Sequence, residues 1–524
     1  MKILKTILIS CLFCLLLLQK AKANNIKEKL LSSNVFNSLE WHNLLHYNNG
    51  KSAINEDSTF FLSPDGYKNP KSEYVATVIG LFSDKNINND SVFCKYPARV
   101  DFILKHNELD RRSIPQHKCS EYEEYNQKVP FDDVSIIFAS ENNISPSTML
   151  GHSFLKIDGN NKSHSFSYFA AFDKMNSFNF YTRVLTSGVD GMYILSPYQE
   201  KSNEYINNED RSLWEFKLKL TDKEKQYLKK HLWELKDKNI KYRFIFYNCN
   251  TAIINILKVA NADFDTKNIK PFVTPVEYIQ ELHNNNKISN INIEPSKSHK
   301  LSILRYGLNY VGKAPKPTRI SVSQDLSNKV TNINFSPVYQ DLKDISNAYF
   351  SDLESKILDV SLRYDYNLRK FIFDKIDILK MESIIDYQTT KSLSKYFRFG
   401  LENDLFNNNT ELKPVVEFGL GISKKISSTS VYILPKIGYH YDKFSNYYIA
   451  PQIGTISRIG DNIKIINSYE KYFNTKKNNI GYIDKYNFYA GYKISQNNEI
   501  YFDFSYYNEA KHHTSALLGV VLHF

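Results

Sequence analysis

The sequence from about residue 300 to Phe524 consists of short segments in which apolar and polar residues alternate, separated by turns rich in Asn, Asp, Lys and Ser. Alternation with a period of two places one set of side chains on each face of a β-strand. About a dozen such segments occur, each near the length that a tilted membrane strand needs. The pattern predicts an antiparallel β-barrel of about 12 strands. Examples are "FRFGLEN", "VVEFGLGI", "NFYAGYKI" and "YFDFSYY".

The two faces of these strands differ in a way that favours a membrane barrel over a soluble one. The apolar face is rich in aromatic residues, whereas the other face carries the Gly, Asp, Arg and Glu expected of a wet lumen. The last strand, "SALLGVVLHF", is apolar on one face and ends on an aromatic residue, as the terminal strands of bacterial outer-membrane barrels do. A soluble β-sandwich or a half-open sheet is the alternative. We predict an outer-membrane barrel over residues 300–524.

The N-terminus has the layout of a secretory signal peptide. Lys2 and Lys5 precede an apolar run from Ile7 to Leu18, and Ala21-Lys22-Ala23 is a small-x-small cleavage site. The apolar run is too short to span a membrane. No cysteine follows it at the cleavage point, so a lipoprotein anchor is not expected. We predict removal of residues 1–23 and export of the rest.

The charge of the chain excludes one class of partner. The formal charge of +11 falls to +7 once the four lysines of the leader are removed. No run of Lys and Arg is dense enough to follow a nucleic-acid backbone, so we interpret the basic bias as solvated surface and expect no nucleic-acid binding. Mild attraction to anionic lipid is the alternative that stays open. Zinc-site spacing, phosphate-binding glycine loops and dinucleotide fingerprints are missing from the sequence. We therefore expect no cofactor and no bound metal.

Residues 24–130 are predicted to be mainly helical, because "SLEWHNLLHY" and "SEYVATVIGLF" repeat apolar residues with i, i+3, i+4 spacing. The exported chain keeps three cysteines, Cys94, Cys119 and Cys249. Cys94 and Cys119 lie in similar polar and aromatic surroundings, and export leads to an oxidising compartment. We predict that these two form a disulfide; the alternative is two free thiols in the core.

Residues 131–295 are predicted to form a mixed α/β domain. "DVSIIFAS" is a buried strand, "GHSFLKID" and "SHSFSYFAAF" are paired strands joined by a turn, and "SLWEFKLKL" is another strand. Thr221 and Glu224 form a capping box ahead of a helix. "YRFIFYN" is expected to be a strand that leads directly into a helix beginning at Cys249.

The start of that helix is the candidate catalytic position. Unpaired N–H groups and the helix dipole lower the pKa of a thiol there and can also stabilise a negative oxygen. Asn248 is a suitable N-cap, and His152, on a predicted strand, is the candidate base. His164 and Tyr168 are candidates to orient the imidazole, and Ser147 and Asn248 to line the site. The alternatives are a cysteine that only fills the core and a histidine that only packs in a strand.

A resemblance adds to this interpretation. "SPSTMLGHSFLKID", "DRSLWEFKLKL", "YNCNTAII" and "VTPVEYIQEL" occur in this order and resemble the Lnb-type N-terminal periplasmic domain family. Upstream, "CKYPAR" and "CSEYEEY" resemble the helical segment of Gram-negative members, and the β-rich tail resembles their C-terminal region. The family's namesake is a lipoprotein acyltransferase. The resemblance implies a permuted papain-like fold, similar to the lecithin:retinol acyltransferase group, with Cys249 and His152 as its catalytic pair.

These observations lead to three hypotheses about function. The first is a cysteine acyltransferase or acyl hydrolase that acts on phospholipid or lipoprotein acyl chains at the periplasmic face of the outer membrane, through ping-pong transfer by Cys249. The second is a peptidoglycan-directed cysteine amidase or peptidase. The third is a non-enzymatic outer-membrane barrel with a periplasmic binding module, in which Cys249 is structural.

Overall fold

The computed structural model describes residues 22–83, 87–140, 151–171, 177–265, 273–306, 310–346, 352–403, 411–441, 446–474, 482–508 and 513–524. The chain divides into two compact units. The first contains the helices that precede Ala139 and a seven-stranded sheet, and the second contains the barrel. None of the described helices has the length and apolar character needed to cross a membrane.

The N-terminal part of the first unit is helical, and we call it the helical segment. It also contains a small hairpin of β1 (Tyr47–Asn48) and β2 (Lys51–Ser52). Side chains of Ser38, Asn69 and Ser91 cap three of its helices, and proline at the first turn starts two of them. The helices are α1 (Leu39–Leu44), α2 (Pro70–Leu81), α3 (Val92–Lys95), α4 (Pro97–His106) and α5 (Ser120–Lys128).

The predicted disulfide between Cys94 and Cys119 is confirmed, with 5.3 Å between the two Cα atoms. Among the described residues, Cys249 is the free cysteine, and it is buried. The indole N–H of Trp233 donates to the Cys94 carbonyl at 2.9 Å. The bridge therefore lies where the helical segment packs against the sheet domain.

The sheet of the first unit has seven antiparallel strands in the order β8-β6-β5-β4-β3-β7-β9. Five helices accompany it, and α8 begins with the predicted Thr221/Glu224 capping box. The strands are β3 (Asp133–Ala139), β4 (His152–Gly159), β5 (Lys162–Ala170), β6 (Val189–Pro197), β7 (Leu213–Leu218), β8 (Ile240–Tyr242) and β9 (Ile288–Glu294). The helices are α6 (Ser177–Leu185), α7 (Tyr198–Asn203), α8 (Asp222–Leu235), α9 (Cys249–Ala260) and α10 (Pro275–Asn284).

One predicted strand is shorter than expected. The alternating run "YRFIFYN" was expected to remain extended up to Cys249, but β8 ends at Tyr242. Residues 243–247 instead form a turn, because the backbone groups of Arg243 and Tyr247 bond to each other in both directions. Local alternation cannot reveal this closure, since the turn contains neither glycine nor proline.

The second unit is a closed antiparallel barrel of 12 strands, as predicted. The first strand pairs with the last, and β11 pairs with β13, which completes the ring; β12 is a short extension beside β13. The strands are β10 (Arg319–Asp325), β11 (Val330–Ser336), β12 (Val338–Gln340), β13 (Asp352–Asp365), β14 (Lys370–Ile384), β15 (Ser394–Asn403), β16 (Leu412–Ile426), β17 (Thr429–His440), β18 (Asn446–Ile459), β19 (Ile463–Asn474), β20 (Tyr482–Ser495), β21 (Asn498–Asn508) and β22 (His513–His523). Two helices, α11 (Lys297–Tyr306) and α12 (Tyr387–Thr390), also belong to this unit.

The barrel carries its apolar side chains outward, as the alternation predicts. On β17, Ile433 and Ile437 are 53% and 60% exposed, whereas Leu434 and Lys436 between them are buried. On β16, Phe418 is exposed and Glu417 is buried. An exposed apolar surface that follows every strand is the surface that a bilayer covers.

Candidate functional site

A turn followed by the start of a helix holds the Cys249 thiol. The Arg243 N–H donates to the Tyr247 carbonyl at 3.0 Å, and the Tyr247 N–H donates to the Arg243 carbonyl at 2.9 Å. Asn248 is extended at the N-cap position, and its side-chain amide donates to the Phe244 carbonyl at 2.7 Å. These bonds fasten the start of α9, whose first residue is Cys249, to the turn before it.

The two residues after the cysteine complete the helix start. The Asn248 side-chain oxygen accepts the N–H groups of Asn250 and Thr251 at 2.9 Å each, and the Thr251 hydroxyl accepts the Asn248 N–H at 2.7 Å. This reciprocal capping satisfies donors that would otherwise be unpaired. Asn250 is buried and donates its side-chain amide to the Val273 carbonyl at 2.8 Å. Asn248 is therefore the N-cap that the sequence predicts.

The thiol lies against the start of β4. Burial raises the pKa of Cys249, and the Ser153 backbone N–H and hydroxyl, with the Asn250 N–H, oppose that rise. Donors of this kind favour the thiolate, as does the positive end of the helix dipole. The residue of β4 that lowers the pKa of the thiol is thus the neighbour of His152 along the strand.

Two tyrosines complete the surroundings of the thiol. Burial raises the pKa of Tyr168 and of Tyr242, and a negative charge on Cys249 raises both further. The Tyr168 hydroxyl donates to the Ile240 carbonyl at 3.1 Å. The Cys249 backbone N–H opposes part of the rise for Tyr242. Both phenols therefore keep their protons near the start of α9.

His152 begins β4, and its side chain lies on the opposite face of the strand from Ser153. Its ring stacks on Phe169 with 4.8 Å between centroids and an interplanar angle of 17°, and it also approaches Tyr205. The β4–β5 pairing extends from Gly159 to Leu155, so His152 and Ser153 lie beyond the last residue of β4 that pairs with β5. The structure thus brings Cys249 and His152 to the same end of β4, on its two faces.

The structure places the other predicted site residues at different distances from the thiol and the imidazole. Tyr168 lies beside the thiol, as described above. His164 pairs with Ile157, five positions along β4 from His152, which is on the order of 17 Å at the rise of a strand. It is therefore too distant to orient that imidazole. Ser147 lies outside the described residues.

Sequence reasoning missed Ser153, Tyr242 and the glycine that makes room for Tyr168. A Cβ at Gly191 would collide with the Tyr168 hydroxyl and would lie 2.7 Å from the Ile240 carbonyl. The signal for Ser153 was available, because it is adjacent to His152. Tyr242 and Gly191 could not be found this way, because their contacts with the site depend on the fold.

Metal ligands do not gather at the thiol among the described residues. Within the described part of the chain, one group of potential metal ligands lies close together, Asp344, Glu499 and His523 in the barrel, with all ligand atoms within 4.8 Å of one another. Buried carboxylates and imidazoles of this kind also occur without an ion, so the cluster supports no assignment.

Comparison with known families assigns the sheet domain. Residues 121–285 match the family model described as the Lnb N-terminal periplasmic domain. This segment is an Lnb domain. Residues 33–106 and 310–523 match two further models, both described as domains of unknown function. No curated protein matches the chain.

Several solved barrels are similar to parts of the chain, at low scores. The KdgM porin shares 12% identity and covers 40% of this chain and 98% of its own, with a TM-score of 0.25. The NanC porin shares 7% identity over 40% of this chain and 100% of its own, with a TM-score of 0.27. The anion-selective porin from Comamonas acidovorans shares 8% identity over 75% and 97%, with a TM-score of 0.21. These values support no argument about this chain.

The localisation follows from the Lnb domain together with the barrel surface. The matched family is periplasmic by its description. The 12 strands form a closed ring whose outward side chains are apolar and exposed. The chain is an outer-membrane barrel protein with its Lnb domain in the periplasm.

Proposed function

We propose that the Lnb domain is a cysteine-dependent acyltransferase or acyl hydrolase with a permuted papain-like fold, in which Cys249 is the nucleophile and His152 the base. Its substrates are phospholipid or lipoprotein acyl chains at the periplasmic face of the outer membrane. The observation that carries the proposal is the Cys249 thiol at a capped helix start, where the N–H and hydroxyl of Ser153 lower its pKa.

The reaction has two steps that share one thioester. In the first, His152 takes the thiol proton, the sulfur attacks the ester carbonyl, and the C–S bond forms as the C–O bond breaks. The imidazolium gives its proton to the departing alkoxide. In the second, an acceptor amine, hydroxyl or water attacks the thioester while His152 takes the acceptor's proton, which returns to the Cys249 sulfur.

The proposal requires the imidazole to reach the thiol from the other side of β4. The end of the β4–β5 pairing at Leu155 supports this, because His152 lies beyond the last residue of β4 that pairs with β5. Substrate that enters beside His152 takes the place of its stacking contact with Phe169. The step that activates the thiol is therefore coupled to substrate binding.

Two groups are suited to hold the negative oxygen of the tetrahedral intermediate. The first is the Cys249 backbone N–H, at the start of α9. The second is the Tyr242 phenol, which keeps its proton because burial raises its pKa. With a substrate oxygen at the Cys249 N–H, the Tyr242 hydroxyl can turn and donate to that oxygen.

The test is intact-mass spectrometry of the full mature chain in detergent, with Cys249→Ala as the matched control. The protein is incubated separately with phospholipid, lipopeptide or muropeptide. An acyl-sized mass increase that appears with a lipid substrate and is lost in the control is the expected result. Muropeptide cleavage that depends on Cys249 would instead show that the substrate is a peptidoglycan amide and not a lipid. No adduct and no turnover with any of the three would overturn the proposal.

A second candidate is favoured by one observation. Cys249 is 8% exposed, and burial raises the pKa of its thiol, as for a cysteine that fills a core. In that case the Lnb domain is a periplasmic binding module of the barrel. A Cys249→Ala protein that folds and retains all of its effect in cells would select this function.

A further inference from the structure

A buried chain of polar side chains joins the helical segment to the turn before Cys249. Nδ1 of His46 lies 2.8 Å from the Tyr247 hydroxyl, which lies 2.8 Å from the Tyr193 hydroxyl. On the other side, Nε2 of His46 lies 2.9 Å from Nε2 of His231, whose Nδ1 lies 3.3 Å from a Glu234 oxygen. All five residues are buried.

The direction of each hydrogen bond follows from Glu234, the last residue of this hydrogen-bonded series. The Glu234 carboxylate accepts the Arg99 backbone N–H at 2.9 Å and faces the Arg99 guanidinium, so it is an acceptor for His231 as well. A neutral His231 that donates through Nδ1 must accept at Nε2. His46 therefore donates through Nε2 and accepts the Tyr247 hydroxyl proton at Nδ1. Every member of the chain thus has a defined role.

His46 itself is held in an uncommon backbone conformation. Its φ is 54°, in the left-handed region that few residues other than glycine adopt. The His46 N–H donates to the Asn43 carbonyl at 3.0 Å, and the His46 carbonyl accepts the Ala53 N–H at 2.9 Å. These backbone contacts fix the position from which the His46 imidazole contacts Tyr247.

Tyr247 links this series of hydrogen-bonded side chains to the thiol in two ways. Its backbone closes the turn that leads through Asn248 to Cys249. Its ring packs edge-on against Tyr168, which lies beside the sulfur, with 5.4 Å between centroids. A shift of the Tyr247 side chain therefore moves both the helix start and the wall of the thiol site.

We propose that His46 of the helical segment is a positioning residue for Cys249, acting through the Tyr247 hydroxyl. The helical segment is then a functional part of the thiol site and not only a neighbouring domain. The inference deepens the proposed function by naming a residue outside the Lnb match on which that site depends. It makes no assumption about the acyl donor.

The test uses the reactivity of the thiol, since this needs no substrate. The full mature chain in detergent, with its disulfide intact, is alkylated with iodoacetamide over a range of pH, and the modified Cys249 is quantified by mass spectrometry. The pH of half-maximal rate reports the stabilisation of the thiolate. Failure of the proposed acyl chemistry would leave this measurement unaffected, so the two proposals can fail separately.

Two substitutions of His46 distinguish its hydrogen bond to Tyr247 from its hydrogen bond to His231. Asn reproduces the acceptor at Nδ1 and tolerates positive φ, so His46→Asn keeps the bond to Tyr247 and loses the one to His231. Gln reaches the position of Nε2, so His46→Gln keeps the bond to His231 and loses the one to Tyr247. We expect the pH midpoint to rise by about one unit in His46→Gln and to stay at the wild-type value in His46→Asn.

Tyr247→Phe removes only the hydroxyl oxygen and is a second way to remove the hydrogen bond between His46 and Tyr247. It should raise the midpoint as His46→Gln does, and the double variant should show no further rise. The control is Asn43→Ala, which removes a buried 3.2 Å bond from the helical segment to the Lys258 carbonyl at the other end of α9. Equal midpoints in wild type, His46→Gln and Tyr247→Phe would overturn the proposal, as would an equal rise in His46→Asn or in Asn43→Ala.

Discussion

Ser153, on the strand that begins at His152, lowers the pKa of the Cys249 thiol through its backbone N–H and its hydroxyl, whose buried oxygen has no hydrogen-bond partner. The hydroxyl is the part that a mutation can remove. Ser153→Ala is therefore expected to raise the pH midpoint of Cys249 alkylation by up to about one unit, with the remaining N–H limiting the change.

The matched control for Ser153 is on the neighbouring strand. Ser165 is equally buried, but its hydroxyl bonds to the Ser196 hydroxyl at 3.0 Å. Ser165→Ala should leave the midpoint unchanged while costing about 1 kcal/mol of stability. An unchanged midpoint in Ser153→Ala would remove Ser153 from the site.

Gly191 keeps Tyr168 in place beside the thiol. Because a Cβ there meets the Tyr168 hydroxyl and the Ile240 carbonyl, Gly191→Ala is expected to destabilise the first unit by about 1–3 kcal/mol. Tyr168→Phe alone loses only the bond to Ile240, which is worth about 1 kcal/mol. Since part of the collision is with the hydroxyl, the double variant should be less destabilised than the sum of the two. An additive double variant would contradict this packing.

Tryptophan fluorescence reports these stabilities for one unit alone. The chain has three tryptophans, Trp41, Trp214 and Trp233, and all of them lie in the first unit. Urea unfolding followed by fluorescence therefore measures the unfolding free energy of the helical segment and Lnb domain while the barrel contributes no tryptophan signal.

The buried histidine pair predicts loss of stability in mild acid. Burial, together with the nearby charges of Lys258 and Arg99, holds the pKa of His46 well below its ordinary value of 6.5. The unfolded chain takes up a proton at His46 below pH 6.5 and the folded chain does not. The contribution of His46 to stability is thus fully present above pH 6.5 and falls by about 1.4 kcal/mol per pH unit below it.

His46→Asn provides the comparison for this acid dependence, because asparagine does not titrate. The variant should lose less unfolding free energy than wild type between pH 6.5 and 5.5, by urea titration with tryptophan fluorescence. Parallel pH dependences in the two proteins would show that His46 is not the group responsible.

The disulfide is expected to stabilise the same unit. Cys94 and Cys119 are 25 residues apart, and closing a loop of that length is worth about 3 kcal/mol in the loop-entropy model. The double variant Cys94→Ser/Cys119→Ser should lower the unfolding free energy by that amount and weaken the packing of Trp233, whose indole bonds to Cys94. An unchanged urea midpoint would contradict this role.

The barrel was predictable from the sequence because alternation is a local signal that repeats in every strand. The disulfide and the Asn248 cap were also predictable, since cysteine number and capping chemistry are properties of short stretches. The turn after Tyr242 and the chain from His46 to Tyr247 were not. His46 and Tyr247 are 201 positions apart, and no pattern within either stretch indicates that they meet.

From the side chains that fill its interior, we expect that the barrel does not conduct ions as an open pore. The stretch from Asp341 to Ser346, between β12 and β13, lies against inward side chains. Leu342 packs with Tyr396 and Tyr432, and Lys343 pairs with Asp503. A cavity of about 350 Å³ remains, and its lining has charges of both signs.

These interior charges are largely paired with each other, which favours a filled lumen over an ion path. Lys436 pairs with Glu470, and Arg398 with Asp377. In a planar bilayer the mature chain is expected to show no steady conductance at low voltage, whereas removal of residues 341–346 should open the lumen and produce one. Cys249→Ala leaves the barrel interior intact and serves as the control. A steady wild-type conductance equal to that of the deletion variant would show that this stretch does not close the barrel.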